Sequence, residues 1–298
     1  GQNCRPDPPI WLPFALKVVT WNIHGLFVRP GYSSSQLAEK HRAIRNLMID
    51  YHLIALQETH GTSADFAEAA ARFPGWLVYG SATASRNAGG LLLLVSPEVR
   101  RQVVDLVFHE IVPGRAARLI IRTATATINF INVHSDPRAS VPVRKAMFTR
   151  ALRTAAPEES ITTLLMGDFN ITLPGDSRLD LENGELQHAE DLLGRWFTTS
   201  FPGLTSIDHP GFTRCGYAHG VPRYLSTLDY IMTDMPRAEV LDRHPIGHAI
   251  GDPAVQTNPS DHIPLAAVFH LCHSTPPNRK SFPSWLTKHP FFLEEVQA

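Results

Sequence analysis

The stretch Leu164-Leu165-Met166-Gly167-Asp168-Phe169-Asn170 places three apolar residues and a glycine ahead of an acid and an amide. An unbroken apolar run of this kind reads as a strand buried on both faces. The polar residues then fall just past a strand end, where an α/β scaffold presents its chemistry. Four other places repeat the pattern. Trp21-Asn22 follows Val18-Val19, Gln57-Glu58-Thr59 follows Ile54-Ala55-Leu56, Asn132-Val133-His134 closes a run from Ile128, and Ser260-Asp261-His262 precedes Pro264–Phe269.

Working outward, strands are expected at Leu16–Trp21, Leu53–Gln57, Leu91–Val95, Ala117–Thr125, Ile128–Val133, Thr163–Gly167, Leu228–Met232 and Pro264–Phe269. Helical spacing separates some of them. Gln36–Ile49 aligns Leu37, Ile44, Leu47 and Met48 behind Ser33-Ser34-Ser35, and Thr62–Arg72 is alanine-rich behind a possible Thr62 cap. Val143, Met147, Phe148, Ala151 and Leu152 make a third stripe. Strands mixed with helices along the whole length predict a four-layer α/β sandwich, two packed mixed β-sheets flanked by helices. The domain is expected at 15–271, between a proline-bearing N-terminal linker, 1–14, and a C-terminal tail, 272–298.

Composition narrows the function classes. A net charge of −1 over 298 residues gives no bulk pull toward nucleic acid, so such binding must rest on local patches and a metal. One patch is visible: residues 138–153 hold Arg138, Arg144, Lys145, Arg150 and Arg153 with no acid, either a solvated helix face or a phosphate-backbone contact. Three widely spaced cysteines fit a reducing compartment rather than a disulfide framework. The cluster His270-Leu271-Cys272-His273 matches no common zinc spacing. No apolar run approaches the roughly 20 residues of a membrane span, so no membrane association is expected. A chain that begins at Gly1 reads as a piece of something longer.

Each strand-end acid or amide alone reads as a turn residue. Together they supply acids for a hard cation, a His and carboxylate pair for proton transfer, and amide donors for transition-state oxygens, the parts of metal-assisted phosphodiester hydrolysis. The motifs Trp-Asn-x-x-Gly-Leu at 21–26, Leu-Gln-Glu-Thr at 56–59, Gly-Asp-Phe-Asn at 167–170, Leu-Asp-Tyr-Ile at 228–231 and Ser-Asp-His-x-Pro-Leu at 260–265 resemble, in wording and order, the endonuclease/exonuclease/phosphatase superfamily. Gln57-Glu58-Thr59-His60, the Gly89–Ser96 strand and Asp229-Tyr230-Ile231 look most like endonuclease domains of LINE-type retrotransposons. The segment Trp285-Leu286-Thr287-Lys288-His289-Pro290 resembles stretches that follow such domains in retrotransposon-derived proteins.

The resemblance implies a Mg²⁺-dependent DNA endonuclease, with Mn²⁺ as a substitute, that nicks one strand and leaves a 3′-hydroxyl. It implies DNA as partner, descent from or fusion to a reverse transcriptase polyprotein, a monomeric state and an intracellular location, the nucleus included. It implies Glu58 as the principal metal ligand, with Asn22 and Asp261 as further metal or water contacts. Asp168 would activate the attacking water, Asn170 would donate to the developing oxyanion, His262 would face the scissile phosphate, and Asp229 would fix the tautomer of His262. His134 stands where related nucleases carry Tyr and is read as a phosphate contact or general acid. Thr213 and Arg214, with Arg138 and Arg144, are the candidate nucleic-acid contacts. His24 occupies a position where repair enzymes carry Asp, which weakens an abasic-site reading. Trp196, Phe197 and Phe201 read either as a surface hairpin near the groove or as core. The alternatives are another superfamily phosphodiesterase, acting on abasic DNA, RNA tails or sphingomyelin-type lipids, and a catalytically dead nucleic-acid-binding scaffold.

Overall fold

A computed structural model of the protein describes residues 15–27, 33–123, 127–153, 161–188, 191–207, 211–235, 240–245 and 259–269. The expected linker 1–14, the tail 272–298 and the His270–His273 cluster lie outside the described residues.

One six-stranded sheet contains β1 (Leu16–Asn22), β2 (Leu53–Gln57), β3 (Leu77–Ser81), β4 (Leu91–Val95), β15 (Val240–Pro245) and β16 (Leu265–Phe269), in the order β15-β16-β1-β2-β4-β3. A second contains β5 (Val103–Val112), β6 (Ala116–Thr123), β7 (Thr127–His134), β8 (Ile161–Asp168), β11 (Thr205–Ser206) and β14 (Asp229–Thr233), in the order β11-β14-β8-β7-β6-β5. Each is mixed: β1–β2 and β7–β8 pair parallel, the other pairs antiparallel. A smaller sheet joins β9 (Ser177–Asp180), β10 (Leu186–His188), β12 (Arg214–Ala218) and β13 (Val221–Ser226) in the order β10-β9-β13-β12.

The helices are α1 (Ser34–Asp50), α2 (Ser63–Arg72), α3 (Pro97–Gln102), α4 (Val141–Arg153) and α5 (Leu192–Ser200). The serine run and Thr62 start helices as expected: Ser33 and Thr62 each close a capping box, with Gln36 and Asp65. Ile44 and Leu47 of α1 and Phe66 and Ala69 of α2 pack on the first sheet, and Met147, Phe148 and Ala151 of α4 and Phe197 of α5 pack on the second. Leu93, Leu119, Phe130, Met166 and Ile231 fill the space between the sheets. The four-layer sandwich is therefore observed, with two packed mixed sheets between helical layers.

One expectation changes and one open choice is decided. Val143 is exposed on α4, so only the later part of that stripe faces the core. Trp196 and Phe197 lie on α5, and Phe197 packs edge-on against Phe148 and at a tilt against Phe169 and Phe201, so Phe197 is core with Trp196 and Phe201 partly buried beside it, and the group forms no surface hairpin. No helix among the described residues is long and apolar enough to cross a membrane.

The fold places the site through strand alternation. Side chains two residues apart share a face, and the face each strand turns toward the other sheet changes character along its length. In β1 that face reads Leu16, Val18, Thr20, Asn22; in β2 Leu53, Ala55, Gln57; in β7 Ile128, Phe130, Asn132, His134; in β8 Leu164, Met166, Asp168. The filling between the sheets is apolar at one end and polar at the other, so the polar rungs gather at one edge of the sandwich.

Phe130 is fully buried in the middle of that filling. Phe130→Ala should destabilise the fold by about 3–5 kcal/mol, read from urea unfolding. An unchanged midpoint would mean that the two sheets are not packed through this ring.

Candidate active site

The polar edge is organised around one carboxylate. Asp168 pairs laterally with Asp229 across β8–β14 and with His134 across β8–β7, so all three stand in one row of the second sheet. Gly167 allows this. Its φ is 142°, and a side chain there would overlap the carbonyl oxygen of Val133. Asp168 is 1% exposed. Its Oδ2 accepts from Asn22 Nδ2 and Asn170 Nδ2, both at 2.9 Å, and its Oδ1 accepts from the Asn170 backbone N–H at 2.9 Å. The Asn22 bond crosses from β1 of one sheet to β8 of the other. Burial, joined by the nearby charge of Asp229, raises the Asp168 pKa above its ordinary value even against these donors.

Two imidazoles flank the same oxygen: His262 Nε2 stands 3.9 Å and His134 Nε2 4.0 Å from Asp168 Oδ2. His262 Nδ1 is 2.8 Å from Asp229 Oδ2, both side chains being buried. Burial alone would lower the pKa of His262, but Asp229, with Asp168 and Asp261 beyond it, pushes it up to about 9. The Ser260-Asp261-His262 segment is fastened on both sides. Trp21 Nε1 donates to the His262 carbonyl at 2.9 Å and Ser260 Oγ to the Asn22 carbonyl at 2.6 Å, while Cys215 N donates to Asp261 O at 2.9 Å.

Glu58 lies one residue past β2, with its side chain 24% exposed at the edge of the cleft. Burial acts to raise its pKa, but the imidazoles of His134, His24 and His60 outweigh burial and hold it at about 2. Glu58 is one of four site residues with a left-handed backbone: φ is 50° at His24, 49° at Glu58, 59° at His60 and 48° at Asn170. Such geometry at non-glycine residues costs on the order of 1–3 kcal/mol each and persists only when neighbours enforce it. Gly25 N donates to Glu58 O at 2.6 Å, His60 N to Gly89 O at 2.8 Å and Lys40 Nζ to His24 O at 2.6 Å.

Asp261 links the rim. Its Oδ1 lies 3.3 Å from His24 Nδ1 and its Oδ2 accepts from Arg214 Nε at 3.3 Å. Burial opposes ionisation there, yet these partners and His262 depress its pKa well below the usual carboxylate range.

The expected residues thus come together with three changes of role. Thr213 is fully buried and its Oγ1 accepts from the backbone N–H groups of Leu228 and Asp229, at 3.0 and 3.1 Å, so it shapes the turn into β14 and is no nucleic-acid contact. Arg144 is buried too. Its Nε donates to Ser135 Oγ at 2.9 Å and its Nη2 to Asn170 O at 2.6 Å, which makes it a strut beneath the strained Asn170 rather than a phosphate contact. Asn170 gives both amide hydrogens to the protein, to Asp168 Oδ2 and to Ser135 O, so it orients Asp168 and has no N–H left for an oxyanion. Arg138 remains a surface cation, 76% exposed beside Asp136, and Arg214 is part-exposed. Sequence reasoning passed over Arg115 and Asp136. Arg115 Nη1 lies 2.8 Å from His134 Nδ1 and its Nη2 donates to Asp136 Oδ2 at 2.7 Å. Gly114-Arg115 at the turn between two strands was the available signal.

A cation has two candidate seats. Asp168, Asp229 and His262 offer ligand atoms within 4.8 Å of one another. His262 there is already tied to Asp229 through Nδ1, and a protonated ring has no lone pair to give, so that trio reads as a hydrogen-bonded unit. Glu58, ionised and open to the cleft, is the donor that fits a hard divalent cation.

The sequence pattern of the endonuclease/exonuclease/phosphatase family matches residues 19–262, from β1 to the histidine of the site. The chain belongs to that family. It is accordingly a hydrolase of the phosphodiesterase type. No curated protein sequence matches it. Solved structures share the fold. The endonuclease domain of TRAS1, a telomere-specific non-LTR retrotransposon, is 13% identical with a TM-score of 0.56, covering 86% of this chain and 99% of that one. The AP endonuclease LMAP from Leishmania major is 15% identical with a TM-score of 0.61, covering 86% and 88%. The 3′ phosphatase NExo from Neisseria, bound to product DNA hairpin, is 22% identical with a TM-score of 0.60, covering 86% and 99%.

The His262–Asp229 pair makes a pH prediction. A histidine whose folded pKa, about 9, exceeds its unfolded value near 6.5 stabilises the fold fully below about pH 6.5 and loses that contribution as pH rises through 9. NMR titration of the metal-free protein should show His262 titrating far above an ordinary histidine, and Asp229→Asn should lower that midpoint by more than one unit. Denaturation of the wild type should show stability falling between pH 6.5 and 9, with a flatter profile in Asp229→Asn. A His262 that titrates normally in the folded wild type would refute the pairing.

Proposed function

We propose that this enzyme is a Mg²⁺-dependent DNA endonuclease that nicks one strand and leaves a 3′-hydroxyl. The observation that carries the reading is the Asp168 carboxylate held by Asn22 and Asn170 between two imidazole Nε2 atoms at 3.9 and 4.0 Å. A phosphodiester in the cleft would meet a base and two ring N–H groups at once.

Asp168, oriented from both sheets, takes a proton from the attacking water. The water oxygen forms the new bond to phosphorus in line with the departing 3′-oxygen, the bond from phosphorus to that oxygen breaks, and that oxygen takes a proton from solvent to become the 3′-hydroxyl. His262, charged through Asp229, offsets the negative charge gathering on the phosphoryl oxygens. His134 faces the same space from the opposite side. A divalent cation held by Glu58, with Asn22 and Asp261 as further candidate contacts, would supply Lewis-acid polarisation of a phosphate oxygen. The LINE-type wording of the Glu58 and Asp229 motifs and a fold shared with the TRAS1 endonuclease domain support nicking for target-primed synthesis, by a monomer derived from a reverse transcriptase polyprotein and acting on nuclear DNA. Of the expected nucleic-acid contacts, Arg138 and Arg214 are those that reach the surface to meet the backbone.

Supercoiled plasmid, an abasic duplex, poly(A) RNA and sphingomyelin should be offered in parallel, with Mg²⁺ and with EDTA. Plasmid is expected to be nicked only with Mg²⁺, at ends a DNA polymerase extends without further processing. Asp168→Asn should slow nicking by about 10²–10⁴-fold in a protein whose circular dichroism is unchanged. Equal nicking in EDTA, ends that need a phosphatase before extension, or a clear preference for one of the other three substrates would each overturn the assignment.

A further inference from the structure

The two imidazoles of the site have opposite partners. His262 leans on a carboxylate, whereas the Nδ1 of His134 faces a guanidinium, Arg115 Nη1, at 2.8 Å. An arginine has hydrogens to give and no lone pair to receive one. The contact is therefore a hydrogen bond only if Nδ1 of His134 accepts, which leaves the ring proton on Nε2. That Nε2 is buried, stands 4.0 Å from Asp168 Oδ2, and lies 3.0 Å from Glu58 Oε1 in a direction that makes no hydrogen bond. It is a buried donor aimed into the cleft, and its nearest acceptor, Glu58 Oε1, is poorly aligned with it, so a phosphate oxygen placed in line would meet that hydrogen better.

We propose that Arg115 is the positioning residue that locks His134 in its Nε2–H tautomer, so that this imidazole presents a hydrogen-bond donor, not a base, to a phosphate oxygen in the cleft. Arg115 is built for that task and poorly placed to touch substrate itself. Its side chain is 17% exposed, and its second terminal nitrogen donates to Asp136 Oδ2 at 2.7 Å, so the planar fork is committed to two acceptors at once. Asp136 is held in turn by Arg138, which donates from its backbone N–H at 3.0 Å and from Nε at 3.1 Å. The backbone is bolted as well. His134 N donates to Arg115 O at 2.8 Å, Gly90 N to Gly114 O at 3.1 Å, and Gly114 N to Ser81 Oγ at 2.6 Å, tying the turn between β5 and β6 to both sheets. A lysine could satisfy His134 or Asp136 but could not present a fixed fork to both.

The inference rests on the cleft being the phosphodiester site, and its test is read first without any substrate. Protein labelled with ¹⁵N-histidine, with His134→Gln used to assign the ring, should show His134 in long-range ¹H–¹⁵N spectra as one species, protonated at Nε2 and bare at Nδ1. Arg115→Ala should convert that signal to a mixture of tautomers while circular dichroism stays unchanged, and Arg115→Lys, whose ammonium can still donate to Nδ1, should retain more of the Nε2–H form. A wild-type ring protonated at Nδ1, or a pattern that Arg115→Ala leaves alone, overturns the proposal. So does an Arg115→Ala protein that has unfolded, provided the wild-type spectrum also lacks the single Nε2–H form. On the substrate cleaved best in the parallel assay, kcat should drop about 10- to 100-fold in Arg115→Ala with KM little changed, and adding Arg115→Ala to His134→Gln should cost nothing further. A raised KM with unchanged kcat and a DNA-binding salt slope reduced by about one phosphate would instead make Arg115 a backbone contact and overturn it. A chain that cleaves none of the four substrates refutes the proposed function and leaves the tautomer to be decided by the spectra.

Discussion

Everything at the polar edge depends on a buried amide pair that holds the two sheets in register. Gln57 of β2 donates from Nε2 to Asn132 Oδ1 of β7 at 2.7 Å and to Thr20 Oγ1 of β1 at 2.9 Å. Asn132 answers across the same gap, donating from Nδ2 to the carbonyls of Leu56 and Leu92 at 3.0 and 3.1 Å. All of these groups are buried, so the bonds act in a low dielectric, and a slip of either sheet would strand several polar groups at once. Hydrophobic packing below this level holds the sheets together without fixing their offset closely. The amide pair supplies that offset: Gln57 is the lateral neighbour of Asn22 in the first sheet, and Asn132 lies one rung below His134 and Asp168 in the second. The 2.9 Å bond from Asn22 to Asp168 across the two sheets is possible because of it.

Above the pair, precision is bought with backbone strain. His24, Glu58, His60 and Asn170 all adopt positive φ, and each is fastened by hydrogen bonds from segments remote in sequence. Arg144 illustrates the principle. Its charge is withdrawn from solvent and spent on Ser135 and on the carbonyl of Asn170, where it props a strained turn from below. The arrangement couples distant parts of the chain, since α4 supports the residue that orients the Asp168 carboxylate.

The fold and the inner part of the site were legible in the sequence because both arise from short-range patterns. Apolar runs marked β2 and β4 to the residue, and the strand-end polar groups named Asn22, Glu58, His134, Asp168, Asn170, Asp229 and His262, all of which the structure brings to one edge. Roles that depend on which way a side chain turns were not legible. Thr213 and Arg144 have the residue types of a nucleic-acid contact, and only the packing of β12 against the Leu228–Asp229 turn and of α4 against Ser135 shows that both face inward. Arg115 escaped for the opposite reason. It sits in a tight turn, 19 residues before its partner His134, and the Gly114-Arg115 turn marks a loop without showing that the guanidinium works across a strand.

Aligned rows also explain how one carboxylate can serve two different histidines. Asp229 and His134 are lateral neighbours of Asp168 on opposite sides, so any partner that follows one of them in space approaches Asp168 from that side. On the β14 side the partner is His262, which gains a proton from proximity to acids and so brings positive charge to the cleft. On the β7 side the imidazole is backed by a guanidinium, which has only hydrogens to give and so selects for a bare Nδ1. The same residue type therefore enters the site twice with different chemistry, and the difference lies wholly in what stands behind each ring. In a phosphodiester cleft that asymmetry has a direction: charge stabilisation comes from the β14 side and directional hydrogen bonding from the β7 side. A bound phosphate would thus be oriented by the scaffold before any bond is broken.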